Sequence, residues 1–288
     1  MRRLLIIVSV VCAAADCWGQ SFDIRVPATI VAGDAATIAT TGNGKATFYL
    51  VGPGVSRKKD VKLGEEIQVH PEDLRNAGAY LSIVCSDVCK RATFYVSAAT
   101  PASLTFLVHP SRVPVSQGDA VSGVAFPFDP FRNLVLNPVA IDFQLTERGT
   151  SALSFSKAVR TENGVAWFRT SSGKSAGALQ VGATLDGVSA RRVVQQVASD
   201  PCNLRIEGQR TPLGMLVRTN PIHDCTGNPV PDGTVVTFTA TEANGKSTLD
   251  VPIKQGVARA QIAASGGAVI SVASGVVMGN EIRVGTRP

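Results

Sequence analysis

Histidine is scarce in this chain, three in 288 residues, aromatics make up 6% and charged residues 17%. Each shortage removes a class of chemistry. His70, His109 and His223 stand far apart, one at a strand end, one before Pro110 and one beside a turn. No His-x-x-x-His or His-Glu-x-x-His spacing accompanies them, so metal hydrolysis has no ligand set to start from. A Gly-x-Ser-x-Gly elbow is missing. "SSGKSAG" (171–177) and "NGKST" (244–248) imitate phosphate loops, but a P-loop needs Gly five residues before Gly-Lys, and Phe168 and Ala240 stand there. Both stretches are expected as hairpin turns. Asp and Glu are scattered with no clustered pair that reads as a glycosidase dyad. The expectation is a chain with no catalytic residues, no cofactor and no metal.

Long apolar runs are also lacking after the first residues. Arg2 and Arg3 precede "LLIIVSVVCAAA" (4–15), a basic n-region and an apolar h-region of secretory length. A span needs roughly 20 apolar residues, so this reads as a signal peptide over 1–20, cleaved after Ala15 or Gly19. The mature chain is then secreted, periplasmic or at the cell surface, with no transmembrane segment. The net charge of +6 is mild. Its one dense basic run, "SRKKD" (56–60), is closed by Asp60 and is expected as a solvated hairpin, so no nucleic-acid partner is expected.

Export makes the cysteines legible as disulfides. Cys12 leaves with the leader, and Cys17 leaves with it when cleavage follows Gly19. Four remain, Cys85, Cys89, Cys202 and Cys225, as two local pairs, so neighbour is expected to bond neighbour. Cys85–Cys89 clamps a hairpin between "AYLSIV" and "KRATFYV", and Cys202–Cys225 pins the start of a unit to the turn at 224.

What is abundant is punctuation, 27 Gly and 16 Pro. From residue 22 on, apolar and polar residues alternate in short runs broken about every 8–12 residues, the pattern of sandwich or barrel strands. "TIATT" (37–41), "KATFYLV" (45–51), "EIQVH" (66–70), "AYLSIV" (79–84) and "ATFYVSA" (92–98) are predicted strands, with at most one helical turn in "PEDLRNAG" (71–78). Joints at "SAATPAS" (97–103) and "VASDPCN" (197–203) divide the mature chain into 21–98, 99–198 and 199–288. Each piece has the size of an immunoglobulin-like sandwich.

The second and third pieces repeat one pattern. At a constant offset, Asp129, Asn133, Val135, Ile141 and Phe143 match Asp224, Asn228, Val230, Val236 and Phe238. In "DCTGNPVPDGTVVTF" (224–238), Asp224 and Asn228 are expected to cap turn amides, Gly227 to take a positive φ, and Pro229 to stiffen the exit. The second copy has Arg132 for Gly227 and Leu134 for Pro229, so its turn is expected to be built differently. Asp129, Asn133, Asp224 and Asn228 could alternatively bind Ca²⁺ at the joints, but the consecutive carboxylates of dedicated sites are missing, so capping is the expectation.

This motif resembles the B–C hairpin of bacterial immunoglobulin-like domains, the kind stacked in invasin and intimin adhesins. The first piece carries instead "DLRNAGAY" (73–80), similar to the tyrosine corner of antibody-type immunoglobulin domains, with Tyr80 bonding back to the chain near Asp73. Its inter-sheet cysteine position is Ser82. The resemblance implies an all-β rod of tandem immunoglobulin-like domains acting in adhesion, scaffolding or spacing, with an unknown protein or polysaccharide partner. The alternative is a periplasmic or secreted carbohydrate-binding or carbohydrate-active protein with a site between modules.

Overall fold

The computed structural model describes residues 21–147 and 153–285, and the expected leader lies outside them. Strands dominate, and the single helical turn among the described residues is a 3₁₀ segment, Pro71–Leu74. No helix among the described residues is long and apolar enough to cross a membrane. The chain forms two compact units, the first made of residues up to Thr100 together with Asp129–Val135, the second of the remainder.

In the first unit, a three-stranded antiparallel sheet (Ile24–Arg25, Ala36–Thr40, Glu66–Val69) faces a five-stranded one. The larger sheet runs Thr29–Val31, Cys89–Ser97, Gly78–Cys85, Lys45–Gly52, Val55–Lys62, with the first pair parallel. Strict alternation aims Ile38, Phe48, Leu50, Val84 and Phe94 into the layer between the sheets, where apolar burial supplies the main driving force for folding. Tyr80 stacks on Phe94 in the same core, with ring centroids 5.4 Å apart. The basic run 56–60 lies on the outer arm of the exposed hairpin Lys45–Gly52/Val55–Lys62. That arm is an edge strand, exposed along nearly its whole length, where lysines also discourage edge-to-edge pairing.

The second unit holds two further cores. One gathers Phe106, Ile141, Phe143, Phe168 and Val181 between a three-stranded sheet (Ala166–Thr170, Val121–Phe128, Ser103–His109) and a five-stranded sheet. That larger sheet runs Arg112–Pro114, Val188–Val197, Gly177–Leu185, Ala140–Glu147, Leu153–Arg160. The other core gathers Val217, Val236, Phe238, Ile253 and Ile270. It lies between Ile206–Thr211, Gly214–Thr219, Arg259–Ile262 and the sheet built on Gly245–Pro252, Val235–Glu242 and Val269–Ser274. The matched pairs Ile141/Val236 and Phe143/Phe238 are all fully buried on central strands.

Residues 171–176 do not form a hairpin. They cross from Ala166–Thr170 in one sheet to Gly177–Leu185 in the other, and Ser172 anchors the crossing by donating to the Pro114 carbonyl at 2.7 Å. Only the stretch at 244 turns a hairpin, between Val235–Glu242 and Gly245–Pro252.

Candidate functional site: two side-chain-built loops

The Asp-x-x-x-Asn segments are two copies of one device. In the second unit, Asp224 is buried, and its Oδ1 accepts from the amides of Thr226 and Asn228 at 2.9 Å each and from Thr226 Oγ1 at 2.8 Å. Its Oδ2 accepts from the Ser199 amide at 3.1 Å, two residues beyond the strand Val188–Val197. The carboxylate therefore shapes its own turn and fixes the joint before it. Burial pushes the Asp224 carboxyl up, but the donors from Thr226, Asn228 and Ser199 outweigh burial and hold its pKa at about 2.

In the first unit, Asp129 does the same. Oδ1 accepts from the amides of Phe131 and Asn133, and Oδ2 accepts from the Ala99 amide at 3.0 Å, two residues beyond Cys89–Ser97. The expectation that the second copy's turn is built differently is corrected by its hydrogen bonds. Asp129 N donates to Asn133 O and Arg132 N to Asp129 O, just as Asp224 N donates to Asn228 O and Gly227 N to Asp224 O. Arg132 takes φ +67° where Gly227 takes +86°, so Arg adopts the left-handed conformation that glycine adopts more cheaply.

The asparagines do more than cap their own turns. Asn228 Oδ1 accepts from the Ala176 amide at 2.8 Å, and its Nδ2 donates to the Lys174 carbonyl at 2.9 Å and to Asp224. Asn133 Oδ1 accepts from the Ala77 amide at 2.8 Å, and its Nδ2 donates to the Arg75 carbonyl at 2.7 Å and to Asp129. In both, one carboxamide pairs with a residue's C=O and with the N–H two residues on, imitating a peptide group in a β-ladder. The receiving loops read Arg75-Asn76-Ala77-Gly78 and Lys174-Ser175-Ala176-Gly177. Each ends on a glycine of nearly equal φ, +144° and +142°, that starts the next strand. Sequence reading missed these receiving loops; the repeated basic-x-Ala-Gly was the available signal.

The carboxylate oxygens of Asp129 and Asp224 face N–H donors, a surrounding suited to an anion and repulsive to a cation. Among the described residues no group of three or more His, Cys, Asp or Glu side chains is placed to hold a metal ion. Pro229 follows the loop, and Asp232 caps a second turn by accepting from the amides of Gln255 and Gly256, which lowers its pKa.

Disulfides join Cys85 to Cys89 across the end of their hairpin and Cys202 to Cys225 beside the Asp224 turn. Tyr80 Oη donates to the Asn76 carbonyl at 2.9 Å, while Asp73 accepts from Arg57 Nε at 2.7 Å and does not bond Tyr80. Burial, aided by the Asp73 charge and opposed by the Asn76 bond, raises the Tyr80 pKa.

These features define a protein of tandem immunoglobulin-like sandwiches. The Escherichia coli adhesin FdeC has a similar structure, with a TM-score of 0.65, 15% identity, and coverage of 93% of this chain and 97% of that one. The bacterial integrin-binding protein invasin is also similar, at 11% identity and a TM-score of 0.49, over 92% of this chain and 60% of that one. No family model and no curated protein matches the sequence. At these identities the likeness is one of fold.

Proposed function

We infer that the chain is a secreted or cell-surface protein without catalytic activity, whose immunoglobulin-like modules serve adhesion or the spacing and display of a binding surface. The domain boundaries near 98 and 198, and cleavage of a leader over residues 1–20, are part of the same proposal. The observation that carries it is the likeness to FdeC across nearly the whole of both chains, joined to two copies of an Asx loop that orders backbone rather than presenting reactive groups. Disulfides at 85–89 and 202–225 suit an oxidising compartment.

The test is direct. Purified chain is coated on beads and offered to epithelial cells and to extracellular-matrix proteins, with a heat-unfolded, reduced sample as control. Fold-dependent, saturable attachment supports the adhesive reading. Attachment no greater than that of the unfolded control counts against it.

A further inference from the structure

The outward face of one three-stranded sheet in the second unit carries an aromatic step that no described residue covers. Register sets Trp167, Val124 and Leu107 in one row across the strands. Trp167 is 65% exposed and Leu107 54%, while Phe168, the next residue along from Trp167, is fully buried in the core. The following row on the same face is Arg169, Ser122 and His109. Opposed residues in such a sheet lie about 5 Å apart and successive rows about 7 Å apart. Trp167, Val124, Leu107, Ser122 and His109 line a shallow depression of about 260 Å³, and Arg169 stands beside it, opposite Ser122 in the register.

Alternation alone does not call for tryptophan at an outward position, since any polar residue would satisfy the strand. A large exposed indole beside aliphatic neighbours marks an interaction surface. Its chemistry narrows the partner. The apolar row offers a flat stacking surface about one sugar ring in extent, and the second row offers a guanidinium, an imidazole and the Ser122 hydroxyl, which donates to the His109 carbonyl at 3.3 Å and can still accept. None of the outward positions on these three strands holds Asp or Glu, and Arg169 makes no ion pair among the described residues. The one formal charge at these outward positions is thus positive, which favours an anionic ligand.

We propose that this face binds a saccharide whose pyranose ring carries an acidic group. The C–H face of the ring packs on the Trp167 indole, its acidic group pairs with Arg169, and its hydroxyls reach Ser122 and His109. The row spacing of about 7 Å suits a carboxylate borne by the stacked sugar or its neighbour. The inference deepens the adhesive reading and rests on it only in placing the ligand outside the cell.

The chain has two tryptophans, Trp18 and Trp167, so the full chain carrying Trp18→Phe reports this face through indole emission. It is titrated with oligogalacturonate, with sialyllactose and with neutral maltohexaose. A saturable emission change with either acidic sugar, at least tenfold weaker with maltohexaose and tenfold weaker again in Arg169→Gln, is the expected result. Which acidic sugar responds separates a uronic from a sialic source. Trp167→Ala, followed by calorimetric titration, should abolish binding at an unchanged melting temperature. Equal response to acidic and neutral sugars, or binding retained in Trp167→Ala, overturns the proposal. So does an emission change that tracks protein concentration without sugar, because a second copy then covers the face. Cell attachment that survives in Trp167→Ala while no sugar binds the parent chain refutes this site alone and leaves the adhesive reading standing.

Discussion

Arg132 holds φ +67° at the position where the companion loop has Gly227 at +86°. The Asx loop demands a left-handed residue immediately before its asparagine, because only then can the Asp carboxylate gather the amides two and four residues on. For an L-residue that conformation costs about 1–2 kcal/mol, while glycine costs about 0.5–1 kcal/mol through its freer unfolded state.

Arg132→Gly is therefore expected to raise stability by up to about 1 kcal/mol, since Arg132 is exposed and its side chain makes no hydrogen bond or ion pair among the described residues. Gly227→Ala should lower it by about 1 kcal/mol, because a Cβ there meets open space and only the backbone objects. Denaturant midpoints of the two variants test the pair. A loss of stability in Arg132→Gly would show that the arginine side chain has an unrecognised role.

The Asn228 carboxamide couples Asp224 to the 174–176 crossing. Asn228→Ala is expected to cost about 1–2 kcal/mol, because the partners are exposed enough for water to replace part of what is lost. Hydrogen exchange should speed up at the Ala176 amide and stay unchanged at the Ala183 amide in the core. Asn228→Asp keeps an acceptor for Ala176 but loses the donor and sets a second carboxylate against Asp224. It should be less stable than Asn228→Ala at neutral pH and recover part of the difference in acid. The same ordering in acid and at neutral pH would discount the electrostatic account.

Much of this was legible in the residues and some was not, for physical reasons. Phe143 and Phe238 announced buried strands because half-buried strands alternate strictly. The Asp-x-x-x-Asn spacing announced its turn because short polar side chains reach their own backbone. The far ends of Asn133 and Asn228 stayed hidden, since their partners are peptide groups of residues 75, 77, 174 and 176, and a peptide group has no sequence identity. Strand Val55–Lys62 was missed because an edge strand exposed on both faces shows no alternation. The crossing at 171–176 was misread because Gly-Lys-Ser marks a loop without saying whether the next strand pairs with the last one or joins the opposite sheet. The outward Trp167 sits in a clean alternating strand, where a reading aimed at the core passes over it.

Ser82 stands at the position that would hold a cysteine in antibody-type domains, and its hydroxyl is fully buried with no hydrogen-bond partner among the described residues. Burying an unsatisfied hydroxyl costs about 1–3 kcal/mol. Ser82→Ala removes that group with little change in volume and is expected to stabilise the chain by about 1 kcal/mol. Thermal melts at neutral pH check it. A lower melting temperature would imply that the hydroxyl is satisfied in solution, for instance by a buried water.

Asp224 should make folding sensitive to acid. Its carboxyl titrates at about 2 in the folded chain, because the donors from Thr226, Asn228 and Ser199 outweigh the effect of burial. In the unfolded chain an aspartate titrates near 3.9. The folded state therefore holds its proton less tightly, and the stabilisation is fully present above the unfolded value. As pH falls from about 4 towards 2 the unfolded state gains its proton first, and the contribution drains away. The difference corresponds to about 2.5 kcal/mol. Asp232 and Glu242 are lowered too, by the amides of Gln255 and Gly256 and by Ser265, so their terms run in the same direction over a neighbouring range. Asp224→Asn isolates one share of that slope. At pH 7 the variant is expected to be less stable than the parent, since an amide cannot accept from all the donors the carboxylate gathers. Towards pH 2 the parent should lose stability faster, and the two curves should draw together. Denaturant titrations at half-unit pH steps measure both slopes. Parallel curves from pH 5 to 2 would mean that the Asp224 carboxyl titrates alike in the folded and unfolded chain, and that its hydrogen bonds do not hold in solution.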